Sequence, residues 1–523
     1  MADWILAFFP ILVILVLMLG FRWGGARAGP AGWLAALFIA YGWFGAGWEL
    51  LAYAQLKAAL LTLFVLYIIW PALLFYRVAD EAGVIEAIGS ALTHLTRDRA
   101  LQALLLGWVF SAFLQSIGGF GVPVAIVAPL LVGLGFPPLA AVVIPSIGHS
   151  WAVTFGSLAS SFYALIAATG RSGAELAPWS AVMLGVAAYA CGAGTLWAAG
   201  GFPALRQEVG ALLVIGTAMG VTQYLVVTHG LWSIGGLSAG LVGLAVGVIW
   251  AYVQQQRRNR ATSATSTASA PSRQDANPAL SPALALTPYA LLVAIVMAAQ
   301  FVPPVRSFLN QVVIRVSFPE LRTARGWVTP AGVGRTIRPF GHAGALLIYA
   351  SVLTYGLFRR RGAYPPDILS RLAHGVVSRA IRSSLGIAAM VGMAVMMDHA
   401  GMIRVLALGV AQVTGRAYPF AAPFIGVLGA FVTGSNTNSN VLFGALQQEV
   451  AGLIQANPLI ILAAQTAGGA IGGMFAPAKV IVGCSTVGLG GDEGPVMKKA
   501  SLYGLLITAG LGLVTVLALL VAG

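Results

Sequence analysis

Charge is scarce in this chain. Asp, Glu, Lys and Arg make up 8% of its 523 residues, against about 25% in soluble domains. Cysteine is almost missing. Cys191 and Cys484 both sit in apolar runs, so the sequence offers neither a disulfide framework nor a thiolate metal site. A phosphate-cradling Walker loop, a His/Cys cluster at metal spacing and a nucleophile with its base are absent too. The chain therefore reads as no enzyme, with no cofactor and no nucleotide hydrolysis of its own. No basic leader precedes the first apolar run, residues 4–21, which is long enough to span a bilayer. A cleavable signal peptide is not expected.

What the chain has instead is apolar surface: 59% of its residues are hydrophobic. It reads as a polytopic membrane protein whose first partner is the lipid bilayer. Its net charge of +14 points to cytoplasmic loops rich in Lys and Arg, not to nucleic acid. Sixty-five glycines suit close helix packing and broken helices. Apolar runs suggest eight spans before residue 254 and six after residue 285. Between them, a cluster of Arg257, Arg258 and Arg260 leads into a Ser/Thr/Ala/Pro-rich run that cannot bury a core and reads as a cytoplasmic linker. The domain reading is 1–203, a first transmembrane repeat; 204–253, connecting spans; 254–285, the linker; and 286–523, a second repeat. Residues 82–99 and 365–382 are amphipathic and read as interfacial or cytoplasmic helices.

One stretch stands apart. Thr433-Gly-Ser-Asn-Thr-Asn-Ser-Asn440 is polar or Gly throughout, between apolar runs. It cannot be lipid-facing helix, because backbone groups in hydrocarbon must be satisfied internally. It is either an extramembrane loop or a non-helical turn lining a wet, buried cavity.

Sliding the chain by 318 residues against itself favours the second reading. Asp80 falls on Asp398, Gly83 on Gly401, Ala112 on Ala430 and Phe113 on Phe431. After a two-residue insertion, Pro138 falls on Pro458, Ser146 on Thr466, Gly148 on Gly468 and Phe155 on Phe475. Each copy runs through an acidic residue, an amphipathic helix, a span, a polar or Gly break, an apolar segment and a span broken in its middle. Matched breaks of this kind point to a secondary transporter with its site at the repeat interface. The expected fold is an all-α membrane protein with about 12–14 transmembrane helices in two inverted repeats, each with a re-entrant hairpin and a broken helix. Inversion needs an odd number of crossings before the linker, so one of the eight spans is wrong; residues 210–228, with Thr217, Thr222 and Gln223, are the suspect. The placement of arginines in loops puts the N-terminus outside, with the Arg22/Arg27 loop inside. It also puts outside a stretch carrying Arg306, Arg315, Arg322, Arg325, Arg335 and Arg338, for which an anion-collecting surface is the one reading offered.

The candidate site lies at the two breaks. Gln115, Ser116, Gly118 and Gly119 come from the first; Ser435, Asn436, Thr437 and Asn438 from the second. Ser146, His149 and Thr466 lie in the broken spans. Helix starts just after each break would favour a carboxylate without much formal charge. The candidates for proton coupling are His149, Asp80, Asp398 and Lys479, because ionisable residues inside a membrane are functional by default. Each has a plainer reading: a packing histidine, caps or interface carboxylates, a lysine snorkelling from a span end.

With these residues in view, the chain resembles the lactate permease family of bacterial lactate/glycolate:proton symporters. The resemblance rests on Gly119-Phe-Gly-Val-Pro-Val-Ala125, Pro129, Leu134-Gly135, the 433–440 run continuing to Gly444, Leu446-Gln447, and the 468–488 region. It covers nearly the whole chain. It implies uptake of L-lactate, D-lactate or glycolate with a proton across the bacterial cytoplasmic membrane; a homodimer is left open. The family pattern leads one to expect an acidic residue at 436 and a neutral one at 479, where this chain has Asn436 and Lys479. Ser435-Asn436-Thr437 also resembles the sodium-site motif of dicarboxylate carriers, which keeps a sodium-coupled organic anion symporter as the alternative. A channel or a membrane subunit of a larger complex is the third reading.

Overall fold

The computed structural model describes residues 2–21, 23–119, 121–262, 280–334, 336–489 and 493–522. Most of the expected linker, with Arg22, Phe120, Arg335 and Asp492, lies outside them. Ten helical runs among the described residues are long and apolar enough to cross a membrane. Shorter apolar helices accompany them.

The chain opens with α1 (Ala2–Leu19), α2 (Gly25–Gly42) and α3 (Trp48–Glu81), then the amphipathic α4 (Val84–Thr93). Next comes a helix that does not cross. α5 (Arg99–Ile117) includes a π-helical stretch and ends at Gly118 and Gly119; α6 (Val122–Gly133) runs back beside it. Arg99 at the start of α5 donates to Gly135 O just past the end of α6, at 3.2 Å. Both ends therefore lie on one face, and α5–α6 is a re-entrant hairpin. The following span is broken: α7 (Pro138–Ser150) and α8 (Ser160–Thr169) flank a buried turn.

α9 (Gly173–Thr228) is 56 residues long, which at 1.5 Å per residue far exceeds a bilayer core of about 30 Å. It folds in two at Gly200–Gly201, where the backbone leaves helical geometry. Tyr189 meets Thr217 at 2.7 Å, and a Cβ on Gly192 would touch Leu212, so the arms are antiparallel. Residues 210–228 are thus a genuine packed arm, and the suspicion against them is corrected. The span to remove is residues 101–114, the first hairpin arm. Its composition matches a crossing helix because protein buries it on all sides: α5 is buried along its whole apolar window. With it removed, the crossings before the linker are α1, α2, α3, the α7/α8 pair, both arms of α9, and α10 (Trp232–Thr262). That number is odd, as inversion requires.

The second half repeats the scheme: α11 (Thr287–Phe301), α12 (Ala343–Arg360), α13 (Ile368–His399), the amphipathic α14 (Met402–Thr414), a hairpin of α15 (Tyr418–Thr433) and α16 (Asn436–Leu453), the broken pair α17 (Pro458–Gly472) and α18 (Pro477–Thr486), and α19 (Gly494–Ala522). The equivalent helices α3 and α13 lie antiparallel. Gln55 bonds Gly392 O, and Trp70 bonds Ser384. Inversion therefore shows in the contacts themselves. Residues 365–382 prove to be mostly the start of the long α13, not a separate surface helix.

The two copies also share a packing device. A Cβ on Gly148 would lie 1.8 Å from Gly107 O, and one on Gly468 would lie 1.9 Å from Pro423 O. At both places a broken helix presses directly on the backbone of a hairpin's first arm, as small residues in membrane interfaces allow.

The faces are set by charge. Arg258 pairs with Asp98 at 2.5 Å, and Tyr364, just beyond Arg359–Arg361, bonds Val78 O at the end of α3. This basic face is cytoplasmic by the positive-inside rule. Burial pushes the Asp98 carboxyl up, but the Arg258 guanidinium and the N–H groups of Leu101 and Ala100 hold it below its ordinary value. On the opposite face, four two-residue strands pair as two small antiparallel ribbons, Ser317–Phe318 with Gly332–Val333 and Leu321–Arg322 with Val328–Thr329. They are the only strands among the described residues. Arg325 there pairs with Asp3 and stacks on Trp43, which fastens this segment over the outer ends of α1 and α2.

Candidate functional site at the hairpin tips

The polar run 433–440 is only partly a turn. Thr433 ends α15, Gly434 takes a left-handed φ of 70°, and α16 begins at Asn436. Six of the eight residues are therefore helical, Thr433 in α15 and Asn436 to Asn440 in α16. Polar helix is tolerated here because Asn436 to Asn440 are all buried in protein, not lipid. Ser435 caps the helix by accepting from Asn438 N. The first N–H groups of a helix have no intrahelical acceptor, and those of Asn436 and Thr437 stand at the inward-turned start of α16.

The first hairpin differs. Val122 N–H is given to Gly119 O, and Pro123 has none. Of the two helix starts, only that of α16 is rich in donors.

Two breaks join the two tips. In the first, Ser157, Leu158 and Ala159 carry φ of 45°, 56° and 65°, a left-handed turn that costs L-residues roughly 1–2 kcal/mol each and is held by its buried surroundings. A Cβ on Gly119 would lie 2.0 Å from Ser157 Oγ, so only glycine lets the first tip rest on this turn. The second tip uses the same segment. Asn436 Nδ2 donates to Thr154 Oγ1 and to Thr466 O, each at 3.1 Å. Thr437 Oγ1 is 3.2 Å from Ser161 Oγ, and Asn440 Nδ2 donates to Ser161 O and Thr466 Oγ1, both at 2.9 Å. The second break also serves both tips. A Cβ on Gly434 would lie 3.8 Å from Ala478, and one on Gly121 would lie 4.0 Å from Lys479 Cγ.

Lys479 is 8% exposed, and no carboxylate lies within 4 Å of it among the described residues. It does not snorkel from a span end. It stands in the broken helix beside the first tip, a buried cation with no counter-ion among the described residues.

The other expected residues fall less centrally. Gln115 packs against the first break at Gly156, its Oε1 buried and unpartnered. Ser116 and Ser146 bond back to Ala112 O and Val142 O in their own helices. His149 is fully buried; its Nδ1 lies 2.6 Å from Pro145 O and its Nε2 has no partner. Asp80 pairs with Arg77 at the cytoplasmic end of α3, and Asp398 is half-exposed at the outer end of α13. Antiparallel packing puts these two at opposite faces, away from the tips. Ser161 and Tyr418 are not among the residues singled out in the sequence, and Gln447 enters there only as part of the family resemblance. Ser160-Ser161 in an apolar setting was the available signal. Gln447 and Tyr418 brace the second hairpin, with Gln447 Nε2 on Gln465 Oε1 at 2.9 Å and Tyr418 on Gln447 Oε1 at 2.5 Å.

An uncharged hydrogen-bonding cluster, one buried ammonium and a helix start turned inward suit a small anion that also bears a hydroxyl. The sequence profile of L-lactate permease matches residues 3–522. The chain is 28% identical over 469 residues to the L-lactate permease of Escherichia coli K12, covering 86% of this chain and 84% of that one. It is 29% identical over 478 residues to the L-lactate permease of Bacillus subtilis strain 168, with coverages of 84% and 83%. It is 26% identical over 487 residues to glycolate permease GlcA of E. coli K12, with coverages of 86% and 85%. The chain is thus a multi-pass transporter of the bacterial inner membrane, and it belongs to the L-lactate permease family.

Proposed function

We propose that this transporter carries a small 2-hydroxymonocarboxylate inward together with a proton: L-lactate, with D-lactate and glycolate as related substrates. The observation that carries the reading is the pair of substrates named for its relatives. Lactate and glycolate share a carboxylate beside a hydroxyl. The geometry supports it. Lys479 and the α16 N–H groups would meet the carboxylate, and the Asn/Thr cluster would meet the hydroxyl. Moving an anion with a proton is electroneutral and needs no nucleotide.

A sodium-coupled reading has one observation in its favour. The Oδ1 atoms of Asn436, Asn438 and Asn440 are buried without partners. For Asn436 and Asn440 the orientation is fixed, since their Nδ2 groups donate to main-chain oxygens. Buried acceptors without partners are what a hard cation takes as ligands, and Asn436 and Asn440, four residues apart, share one face of α16. Uptake of labelled L-lactate into liposomes holding the purified chain separates the readings. With an inward proton gradient and no sodium, accumulation above protein-free liposomes is expected. Accumulation that begins only when sodium is added would establish the second reading.

A further inference from the structure

A cavity of about 780 Å³ opens on the outer face beside the strand-bearing segment. Its lining contains Lys57, Arg306, Arg338 and His342 and, among the described residues, no Asp or Glu. A second cavity of about 180 Å³ continues from it between α3, α8, α13 and α16, and Lys57 lines both. Asp398 and His399 line the inner one.

At this junction Lys57 Nζ lies 3.4 Å from His399 Nε2. His399 is 3% exposed. Its Nδ1 faces Val395 O at 2.9 Å; a carbonyl only accepts, so Nδ1 carries the hydrogen and Nε2 offers a lone pair to the ammonium. The ring is neutral in this arrangement. A proton on Nε2 would set two cations face to face at 3.4 Å. The other charges on the elements packed here are half-exposed Asp398, whose Oδ2 is 3.9 Å from His399 Nδ1, Glu49 at the start of α3, and Glu449 of α16, paired with Arg404 of α14.

We propose that Lys57 and His399 form an outer site for a small monocarboxylate, in which the anion inserts between ammonium and imidazole and His399 takes a proton with it. The carboxylate removes the repulsion that forbids the proton, and the proton strengthens the hold on the carboxylate. By linkage the two effects are equal. The basic vestibule raises the local concentration of anions before they reach this point. Anion and proton are then taken up together from the outside, ahead of the hairpin tips. The inference rests on the proposed proton-coupled carboxylate transport.

Two measurements on the full-length protein test it separately from that reading. In weakly buffered detergent solution near pH 6.5, adding L-lactate, glycolate or acetate should make the wild type take up protons, whereas chloride should not. His399→Gln should abolish the uptake. Lys57→Gln should need about tenfold more anion, and Lys57→Arg should restore it, since a guanidinium also binds a carboxylate. Gel filtration establishes that the variants are folded. Wild-type liposomes are assayed for lactate accumulation in parallel. Proton uptake lost in His399→Gln, in a wild type that accumulates no lactate, would keep the site and remove lactate as the cargo. Lactate accumulation with no carboxylate-linked proton uptake, or with uptake unchanged in both variants, would overturn the site.

Discussion

Replacing Lys479 by Gln should abolish lactate uptake without harming the fold. Lys479 is buried beside the first hairpin tip, with no carboxylate within reach among the described residues. A buried cation without a counter-ion costs stability, so the neutral amide should leave thermal stability unchanged or raise it. Its loss matters only when the anion arrives. Breaking a buried charge pair by removing one partner costs about 3–5 kcal/mol, and about 1.4 kcal/mol is a factor of ten. The expected rise in half-saturation concentration is therefore at least about 100-fold. Lys479→Arg should not rescue fully, because the guanidinium is larger and Gly473 already lies against Nζ, where a Cβ would come within 2.8 Å. Uptake in Lys479→Gln at wild-type affinity would remove the lysine from the site.

The second large effect is structural. Gly468→Ala or Gly148→Ala should each destabilise the protein by about 3 kcal/mol or more, at or beyond the upper end of the usual range for overpacking. In both cases the new methyl would meet a backbone carbonyl at less than 2 Å, and two helices would have to separate. A fair control is Gly185→Ala in α9. A Cβ there meets nothing within 4 Å, so the substitution should be neutral, or stabilising by about 1 kcal/mol from helix propensity. The midpoint of thermal aggregation, followed by gel filtration, reads all three. Equal midpoints for Gly468→Ala and Gly185→Ala would contradict the close contact and the packing symmetry drawn from it.

The self-match at 318 residues found the repeat because duplicated positions carry duplicated duties: Gly148 and Gly468 both accept a neighbouring backbone. The same reasoning could not tell which apolar runs cross. The first hairpin arm, residues 101–114, is as apolar as a crossing helix, and it is the contacts of Arg99 with Gly135 O and the Phe136 ring that show it turning back. The run 433–440 drew attention through its polarity, yet its helical half was hidden. A helix of Asn, Thr and Ser is unfavourable by propensity and becomes stable here through Thr154, Ser161 and Thr466. Two of those three partners lie more than 250 residues away in sequence. Lys57 and His399 were passed over for the same reason: nothing local joins residues on α3 and α13. The paired strands between residues 317 and 333 gave no periodic signal, being two residues each.

We propose that the substrate is held where the two hairpin tips meet the two breaks. The most direct test is uptake of labelled L-lactate by the Asn436→Ala, Thr437→Ala variant in liposomes, at matched protein density. Each substitution removes hydrogen bonds of about 1 kcal/mol net that position the start of α16, so uptake at low substrate concentration should fall about thirtyfold. Uptake equal to wild type would contradict the placement of the site.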